Sequence, residues 1–216
     1  QFSASAAHEL RTPLAVMQTN LEVFARKNAP TVKEYQELFG MIQDQTGRLS
    51  HLSEVLLDMT GIQSIERSDS ISLAELADEV CCDLASIADQ KKVELIQEEG
   101  DCTVTGSYLL LYRAVFNLVE NAIKYNHPDG SVHIDIKDEN GFALISIKDT
   151  GIGIAPENQE KIFTPFFCVD KSRSRTMGGA GLGLALVAEI AQLHNGTVYV
   201  SESDSEGSTI ILKLPL

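Results

Sequence analysis

The chain has 216 residues, with 17 Lys and Arg against 31 Asp and Glu, so its formal net charge is −14. This length allows one or two domains with a sizeable core, and 44% hydrophobic with 22% charged residues is typical of a globular protein. The acidic balance argues against a nucleic-acid binder, because neutralising phosphates requires clustered Lys and Arg. No apolar run has the length of a membrane-spanning helix, so we expect no membrane contact by this segment. The 4 cysteines lack zinc-binding spacing and are predicted to be reduced.

Two segments in the first third carry a heptad pattern. Mainly apolar residues recur at alternating intervals of four and three from Leu10 to Phe24, and again from Leu38 to Met59. Pro30 lies in the polar stretch between them and cannot continue a helix. The pattern predicts two antiparallel helices. Because two helices alone bury too little surface, we expect a second copy of the chain to complete a four-helix bundle, which makes the protein a homodimer.

The heptad register predicts that His8 lies on the solvent face of the first helix. Glu9 is its neighbour, and Thr12 follows one turn later on the same face. A lone surface histidine usually has no special role. A neutral imidazole is nevertheless a competent nucleophile, and an adjacent carboxylate can orient the ring and accept its proton.

A polar stretch at residues 65–70 ends the heptads, and we place a domain boundary there, giving domains 1–66 and 67–216. The second part predicts an α/β sandwich, and the whole chain is therefore of the α+β class. Asn140-Gly141 is a strong hairpin signal between two of its strands. Helices are expected at 73–90, 108–126 and 181–194, and strands at 93–96, 132–138, 142–148, 197–201 and 209–214.

A polar stripe marks the second of these helices. Asn117, Asn121 and Lys124 are spaced i, i+4, i+7 on an otherwise apolar segment. A solvated helix face would explain the stripe, but amides are mediocre helix formers, which favours a specific role. An amide oxygen can ligate Mg²⁺, and a lysine can contact phosphate.

Two glycine-rich segments follow. In the first, Asp149 ends a strand and Gly151 and Gly153 let the backbone approach a ligand closely. The second, residues 178–184, directly precedes an apolar helix whose N-terminus suits phosphate binding. It has neither the Walker pattern nor a clean dinucleotide-binding fingerprint. Between them lies an aromatic cluster at 161–167, which buried rings pinning a loop would also explain.

The segment from His8 to Leu14, His-Glu-Leu-Arg-Thr-Pro-Leu, resembles the H box of sensor histidine kinases. The asparagine stripe, the Asp149 segment, the aromatic cluster and the second glycine segment resemble the N, G1, F and G2 boxes of the same family, in family order. The resemblance implies that His8 is the phospho-acceptor and Glu9 its general base. Thr12 would position a water when the domain dephosphorylates its partner.

The resemblance also implies a site for ATP and Mg²⁺ in the second domain. Asp149 would accept a hydrogen bond from the adenine amino group, and Asn121 would hold Mg²⁺ with Asn117 nearby. The remaining predicted contacts are Lys124 and Tyr125 at the phosphate and adenine sides, Gly151 and Gly153 at the adenine wall, Gly179, Gly181 and Gly183 at the triphosphate end, and Lys171, Arg173 and Arg175 in a lid over the phosphates.

The implied function is ATP-dependent autophosphorylation on His8, followed by transfer to an aspartate of a response regulator receiver domain. The start without Met and the lack of an apolar span suggest the cytoplasmic end of a membrane-anchored bacterial sensor. Two alternatives are an ATPase of the same fold that drives conformational clamping, and a degenerate kinase that signals by conformation alone. The other histidines, with no partners at metal-ligand spacing, are expected to be structural or surface residues.

Overall fold

The computed structural model describes residues 2–169 and 181–216, without the side chains of residues 2–5, 8, 9, 48, 51, 52 and 54–60. The chain forms two compact units that divide between Asp58 and Met59. Our division after residue 66 stays a prediction. No helix in the described part of the chain is both long and apolar enough to cross a bilayer.

The first unit is the predicted helical hairpin, made of α1 (Phe2–Ala25) and most of α2 (Val32–Gly61). The rings of Phe24 and Tyr35 meet edge to face, with centroids 4.9 Å apart, close to the loop. Farther along, the Thr46 hydroxyl lies 3.9 Å from the Met17 sulfur. Residues later in α2 thus meet residues earlier in α1, which confirms the antiparallel arrangement.

The start of α2 is closed by a reciprocal cap. Glu34 accepts hydrogen bonds from the Thr31 backbone N–H at 2.8 Å and its hydroxyl at 3.0 Å, while Thr31 Oγ1 accepts from the Glu34 N–H at 3.3 Å. Lys27 Nζ adds an ion pair to Glu34 at 2.6 Å. These contacts, the Lys27 bond foremost, hold the pKa of the Glu34 carboxyl at about 2. The loop therefore ends in a defined helix start.

The heptad face of the hairpin is incompletely covered within one chain. The heptad residues Leu14 and Leu21 are 52% and 47% exposed, and Phe39, next to the heptad residue Leu38, is 66% exposed. Met17 and Leu38, on the same pattern, are half-buried. Burying these large apolar side chains further would be favourable, because it would remove apolar surface from water. The hairpin therefore presents an apolar surface that its own chain does not cover.

The second unit comprises Met59–Val169 and Gly181–Leu216 and is the predicted α/β sandwich. Its helices are α3 (Leu73–Lys91), α4 (Tyr108–Lys124) and α5 (Gly183–Leu193). Its strands are β1 (Asp69–Ser72), β2 (Val93–Gln97), β3 (Thr103–Gly106), β4 (Gly130–Glu139), β5 (Phe142–Asp149), β6 (Thr197–Asp204) and β7 (Gly207–Pro215).

The main sheet has the order β2-β4-β5-β7-β6, with β2 parallel to β4 and the other neighbours antiparallel. Alternate residues of β4, β5 and β7 are buried and face the helices, as the period of two predicts for a sheet covered on one side. Helix α4 contributes the longest buried apolar face and packs against both α3 and α5. The core thus lies between the helices and one face of the sheet.

The sequence did not predict the small sheet in which β1 pairs antiparallel with β3. Strand β1 falls in the polar stretch near the predicted boundary, where Ile71 is the buried apolar residue of a four-residue strand. Asp69, the first residue of β1, contacts the helix that follows β3. Asp69 Oδ2 accepts a hydrogen bond from the Tyr108 backbone N–H at 3.1 Å and so caps the start of α4.

A second acceptor at the same helix start is His194, which directly follows α5. Its Nε2 accepts from the Ser107 N–H at 3.0 Å, and its Nδ1 donates to the Ile190 carbonyl at 2.8 Å. His194 is 6% exposed, and burial lowers the pKa of its imidazole below the ordinary value. His194 is therefore a neutral structural residue that ties the end of α5 to the start of α4.

Candidate nucleotide site and phospho-acceptor helix

The asparagine stripe of α4 meets the start of α5. Asn117 and Asn121 each donate their amide N–H to the backbone carbonyl four residues earlier, at 2.8 Å, which directs each Oδ1 away from the helix backbone. Gly183, the first residue of α5, lies so close that a Cβ there would be 2.5 Å from Asn117 Oδ1 and 3.7 Å from Asn121 Nδ2. The structure thus brings the asparagine amides of α4 close to the glycine that begins α5, about 60 residues later in the chain.

Lys124 and Tyr125 continue this surface at the C-terminal end of α4. Lys124 is half-buried with Nζ 5.7 Å from the centre of the Tyr125 ring, and burial lowers its pKa while the Glu120 charge opposes that shift. The Tyr125 carbonyl accepts a hydrogen bond from the Ile152 N–H at 3.2 Å. The end of α4 is therefore joined to the loop that follows Asp149.

Asp149 is half-buried at the end of β5. Its Oδ1 accepts a hydrogen bond from the Gly151 N–H at 2.8 Å. Burial raises the pKa of the Asp149 carboxyl, and backbone hydrogen bonds from Gly151 and Ser208 oppose the rise. A carboxylate has about four lone-pair sites, so two backbone donors leave capacity for another donor.

The two predicted glycines after Asp149 are required by close packing. At Gly151 a Cβ would lie 2.5 Å from the Tyr125 carbonyl oxygen. Gly153 has φ +68°, and a Cβ there would lie 1.7 Å from the Asp204 carbonyl oxygen. Neither position can take a side chain without backbone movement.

The tip of the β6–β7 hairpin supports the same loop, and sequence reasoning missed it. Ser203 Oγ accepts from the Ile154 N–H at 2.7 Å and lies 3.0 Å from Ser208 Oγ. Gly207 has φ +142°, and a Cβ on it would lie 1.9 Å from the Asp149 carbonyl oxygen. The glycine between two strand patterns was the available signal, because such glycines mark close backbone approaches.

The aromatic cluster contacts the second glycine segment. The Phe166 N–H donates to the Gly181 carbonyl at 2.8 Å, and both residues have positive φ, 65° and 68°. A Cβ on Gly181 would lie 2.6 Å from the Phe167 carbonyl oxygen. The predicted residues Lys171, Arg173, Arg175 and Gly179 lie outside the described residues.

In the other unit, His8 and Glu9 lie on α1, and their side chains are outside the description. Thr12 follows one turn later and is half-buried. Helix α1 runs on through Pro13. The predicted phospho-acceptor segment is thus helical.

The residues in the second unit fit ATP and a hard divalent cation. The Asp149 carboxylate can accept from an amino group, Lys124 supplies a positive charge, and the two asparagine amides supply the oxygen donors that Mg²⁺ prefers. Among the described residues, no group of three or more His, Cys, Asp or Glu is placed to hold a metal.

Comparisons with known proteins agree with this geometry. Residues 106–216 match the family model of histidine kinase-, DNA gyrase B- and HSP90-like ATPases, and residues 1–65 match the His Kinase A phospho-acceptor domain. The chain belongs to the sensor histidine kinase family, and its C-terminal part is an ATP-binding domain.

Particular relatives align along the whole chain. Sensor histidine kinase RppB of a Synechocystis strain is 34% identical over 100% of this chain and 49% of its own length. WalK of Bacillus subtilis is 33% identical over 100% of this chain and 36% of its own. The chain thus spans about half or less of the length of these curated relatives.

Solved structures share the fold. Histidine kinase AdeS of Acinetobacter baumannii is 25% identical, with a TM-score of 0.74, over 96% of this chain and 97% of that one. Histidine kinase ThkA, solved in complex with the response regulator protein TrrA, is 24% identical with a TM-score of 0.76, over 99% of this chain and 60% of that one. At that identity the likeness to ThkA shows the fold alone.

Proposed function

We propose that the chain is the kinase core of a two-component sensor, which phosphorylates itself on His8 with ATP and passes the phosphoryl group to an aspartate of a response regulator. The observation that best supports the proposal is the approach of Gly183 to Asn117, because it brings the asparagine stripe of α4 close to the start of α5. Membership of the sensor histidine kinase family supports a phospho-acceptor in the same chain.

The nucleotide contacts in this proposal are those that the resemblance implies, and the chemistry of the described side chains supports them. Asp149 accepts a hydrogen bond from the adenine amino group, with Gly151 and Gly153 forming the wall beside the ring. Lys124 and Tyr125 line the phosphate and adenine sides, and Gly181 and Gly183 lie at the triphosphate end, where N–H groups at the start of α5 favour phosphate. Lys171, Arg173, Arg175 and Gly179 complete the phosphate contacts in this proposal.

Asn121 holds Mg²⁺ through its amide oxygen, with Asn117 beside it. When bound, the cation offsets the negative charge of the phosphate oxygens. The half-buried amides of α4 are held in place by their bonds to the helix backbone, so the oxygens are oriented before ligand arrives.

The transfer step is an in-line displacement. An imidazole nitrogen of His8 forms a bond to the γ-phosphorus as the bond to the β–γ bridging oxygen breaks, and ADP leaves. Glu9 accepts the ring proton. The phosphoryl group then passes from His8 to the receiver aspartate, and Thr12 positions a water when the domain removes phosphate from that partner.

The exposed apolar surface of the hairpin supports a homodimer, in which the heptad residues Leu14 and Leu21 and the neighbouring Phe39 pack against a second copy. We propose residues 1–66 as the dimerisation and phosphotransfer domain and 67–216 as the catalytic domain. The chain spans about half or less of curated relatives that are named sensor histidine kinases, and we propose that the whole protein is likewise a membrane-anchored bacterial sensor with this segment in the cytoplasm.

The test is incubation with γ-labelled ATP and Mg²⁺, followed by measurement of acid-labile, alkali-stable label on the protein. Label on the wild type and on His133→Gln, but none on His8→Gln, is the expected result; His133 is a surface histidine of the sheet paired with Glu98. Equal label on His8→Gln would refute His8 as acceptor. Phosphate release without any label would favour the conformational ATPase.

A further inference from the structure

The last turn of α4 leads into Asn126, a residue that neither the sequence motifs nor the proposed contacts include. Asn126 Oδ1 accepts a hydrogen bond from the Thr150 hydroxyl at 3.1 Å, and its Nδ2 donates to the Ser131 carbonyl at 2.9 Å. Thr150 Oγ1 in turn accepts from the Ser131 N–H at 2.9 Å. The side chains of Asn126 and Thr150 and the backbone N–H and carbonyl of Ser131 form a closed ring of hydrogen bonds, and Thr150 directly follows Asp149.

This ring lies at the end of β5. Asp149 pairs with Val132 as the last position of the β4–β5 ladder. One residue farther on, the Thr150 N–H bonds the Ser131 carbonyl at 3.2 Å, so the Thr150 side chain and backbone both extend the pairing past Asp149. The direction of the Asp149 side chain therefore depends on bonds made by its neighbour.

The backbone of Gly130 packs closely against the ring. A Cβ on Gly130 would lie 2.3 Å from Asn126 Oδ1 and 2.7 Å from Thr150 Oγ1, so the backbone of Gly130 closes one side of it. The Tyr125 carbonyl, one residue before Asn126, accepts a hydrogen bond from the Ile152 N–H. Asn126 follows the helix that carries Asn117 and Asn121, so it connects the proposed cation ligands to the adenine carboxylate.

We infer that Asn126 is a positioning residue for adenine recognition, which acts on Asp149 through the Thr150 hydroxyl. The inference rests on the proposed function, since it assumes that Asp149 reads the adenine amino group. Asn126 also has a simpler role: its Oδ1 accepts from the His127 N–H at 2.9 Å and so stabilises the turn after α4. Loss of the positioning role should weaken ATP more than a nucleotide without the amino group, whereas loss of the turn-stabilising role should weaken both equally.

The experiment measures binding of ATP and of inosine triphosphate, which lacks the exocyclic amino group, by calorimetry. Thr150→Val removes the hydroxyl with little change of volume, and Asn126→Ala removes the amide. We expect each variant to weaken ATP binding about 3- to 10-fold, the range for loss of one oriented hydrogen bond. The affinity for inosine triphosphate should change less than about twofold. Thr150→Ser keeps the hydroxyl and should keep wild-type selectivity.

The matched control is Thr197→Val, an exposed threonine at the first residue of β6. It should leave both affinities unchanged. Equal weakening of the two nucleotides by Thr150→Val would overturn the inference and leave only the turn-stabilising role. A wild type that binds the two nucleotides equally would overturn it as well.

Binding and phosphotransfer are separate readouts, so the two proposals can fail independently. A wild type that prefers ATP but acquires no label refutes the kinase function and leaves the positioning inference to be decided by the variants. If Asn126→Ala does not fold, which the loss of the circular-dichroism unfolding transition would reveal, the comparison of Thr150→Val with Thr150→Ser decides the question.

Discussion

The hairpin and the α/β unit bury their apolar residues in different ways. In the α/β unit, Leu76, Leu118 and Ile145 are 0–1% exposed, and helices and sheet enclose them within one chain. In the hairpin, Leu21 and Phe39 stay 47% and 66% exposed. The unit that binds nucleotide is complete by itself, whereas the unit that carries His8 presents a surface suited to a second copy. Stability of the first should not depend on protein concentration, and that of the second should.

The largest expected effect comes from placing a charge in the uncovered heptad face. Leu21→Glu should raise the dimer dissociation constant at least about 100-fold, because each copy loses apolar burial and gains a buried charge. Analytical ultracentrifugation measures it. Leu109→Glu is the matched control, since Leu109 is 49% exposed on α4 in the other unit and should not alter the dimer. If Leu109→Glu raised the dimer dissociation constant as much as Leu21→Glu, the difference inferred between the two units would be contradicted.

The next effect separates nucleotide binding from dimerisation. Asp149→Asn should weaken ATP about 30- to 100-fold, because a charge-assisted hydrogen bond to the adenine amino group becomes a neutral or mismatched one. Calorimetric titration with ATP measures it, and the dimer dissociation constant should be unchanged. Affinity within twofold of the wild type would remove Asp149 from the site.

Glycine-to-alanine substitutions should change the free energy of unfolding in opposite directions in the two units. Gly153→Ala meets both a φ of +68° and the Asp204 carbonyl oxygen, so it should lower the free energy of unfolding of the α/β unit by about 1–3 kcal/mol or more. A Cβ added to Gly47, within α2, would meet no atom of the described residues within 4 Å, so Gly47→Ala should stabilise the hairpin by about 0.5–1 kcal/mol. Urea denaturation followed by circular dichroism measures both. Destabilisation by Gly47→Ala would indicate that a partner chain packs there.

The smallest effect is a pH dependence of the α/β unit. Burial lowers the pKa of His194 in the folded state, so its neutral form contributes stability that is complete above the unfolded value of about 6.5. That stability is lost as the pH falls below 6.5 toward the folded pKa, with a slope of at most about 1.4 kcal/mol per pH unit. The nearby Arg67 charge lowers the pKa further. Urea denaturation from pH 7.5 to 5 should show a shallower slope in His194→Gln, and identical slopes would exclude His194 as the source.

Periodicity predicted the regular elements because the core imposes it. The alternation in β4 and β5, and the apolar face of α4 with its asparagine stripe, are local patterns that a single sequence displays. The glycines at 151, 153 and 181 were also found from local sequence, because positions where two backbones approach closely require glycine. The resemblance to a known family then gave each motif a chemical meaning.

The supporting contacts were not predictable, because they join residues that are distant in sequence. Ser203 bonds the Ile154 N–H across 49 residues, and His194 bonds the Ser107 N–H across 87. A serine or a histidine carries no periodic signal of such a bond. Strand β1 was missed for a related reason, since its pairing with β3 depends on long-range contact rather than on its own four residues.

The cap that Asp69 provides has a practical consequence for where the chain can be cut. The ATPase family match begins at residue 106, yet the start of α4 depends on Asp69, and the fully buried Leu76, Val80 and Leu84 of α3 lie before residue 106 as well. A fragment that began at the family match would expose one face of α4 and remove the Asp69 acceptor of the Tyr108 N–H at its start. The nucleotide-binding unit is therefore a larger object than its recognisable motifs, and a fragment intended to fold alone should begin ahead of the buried Ile62.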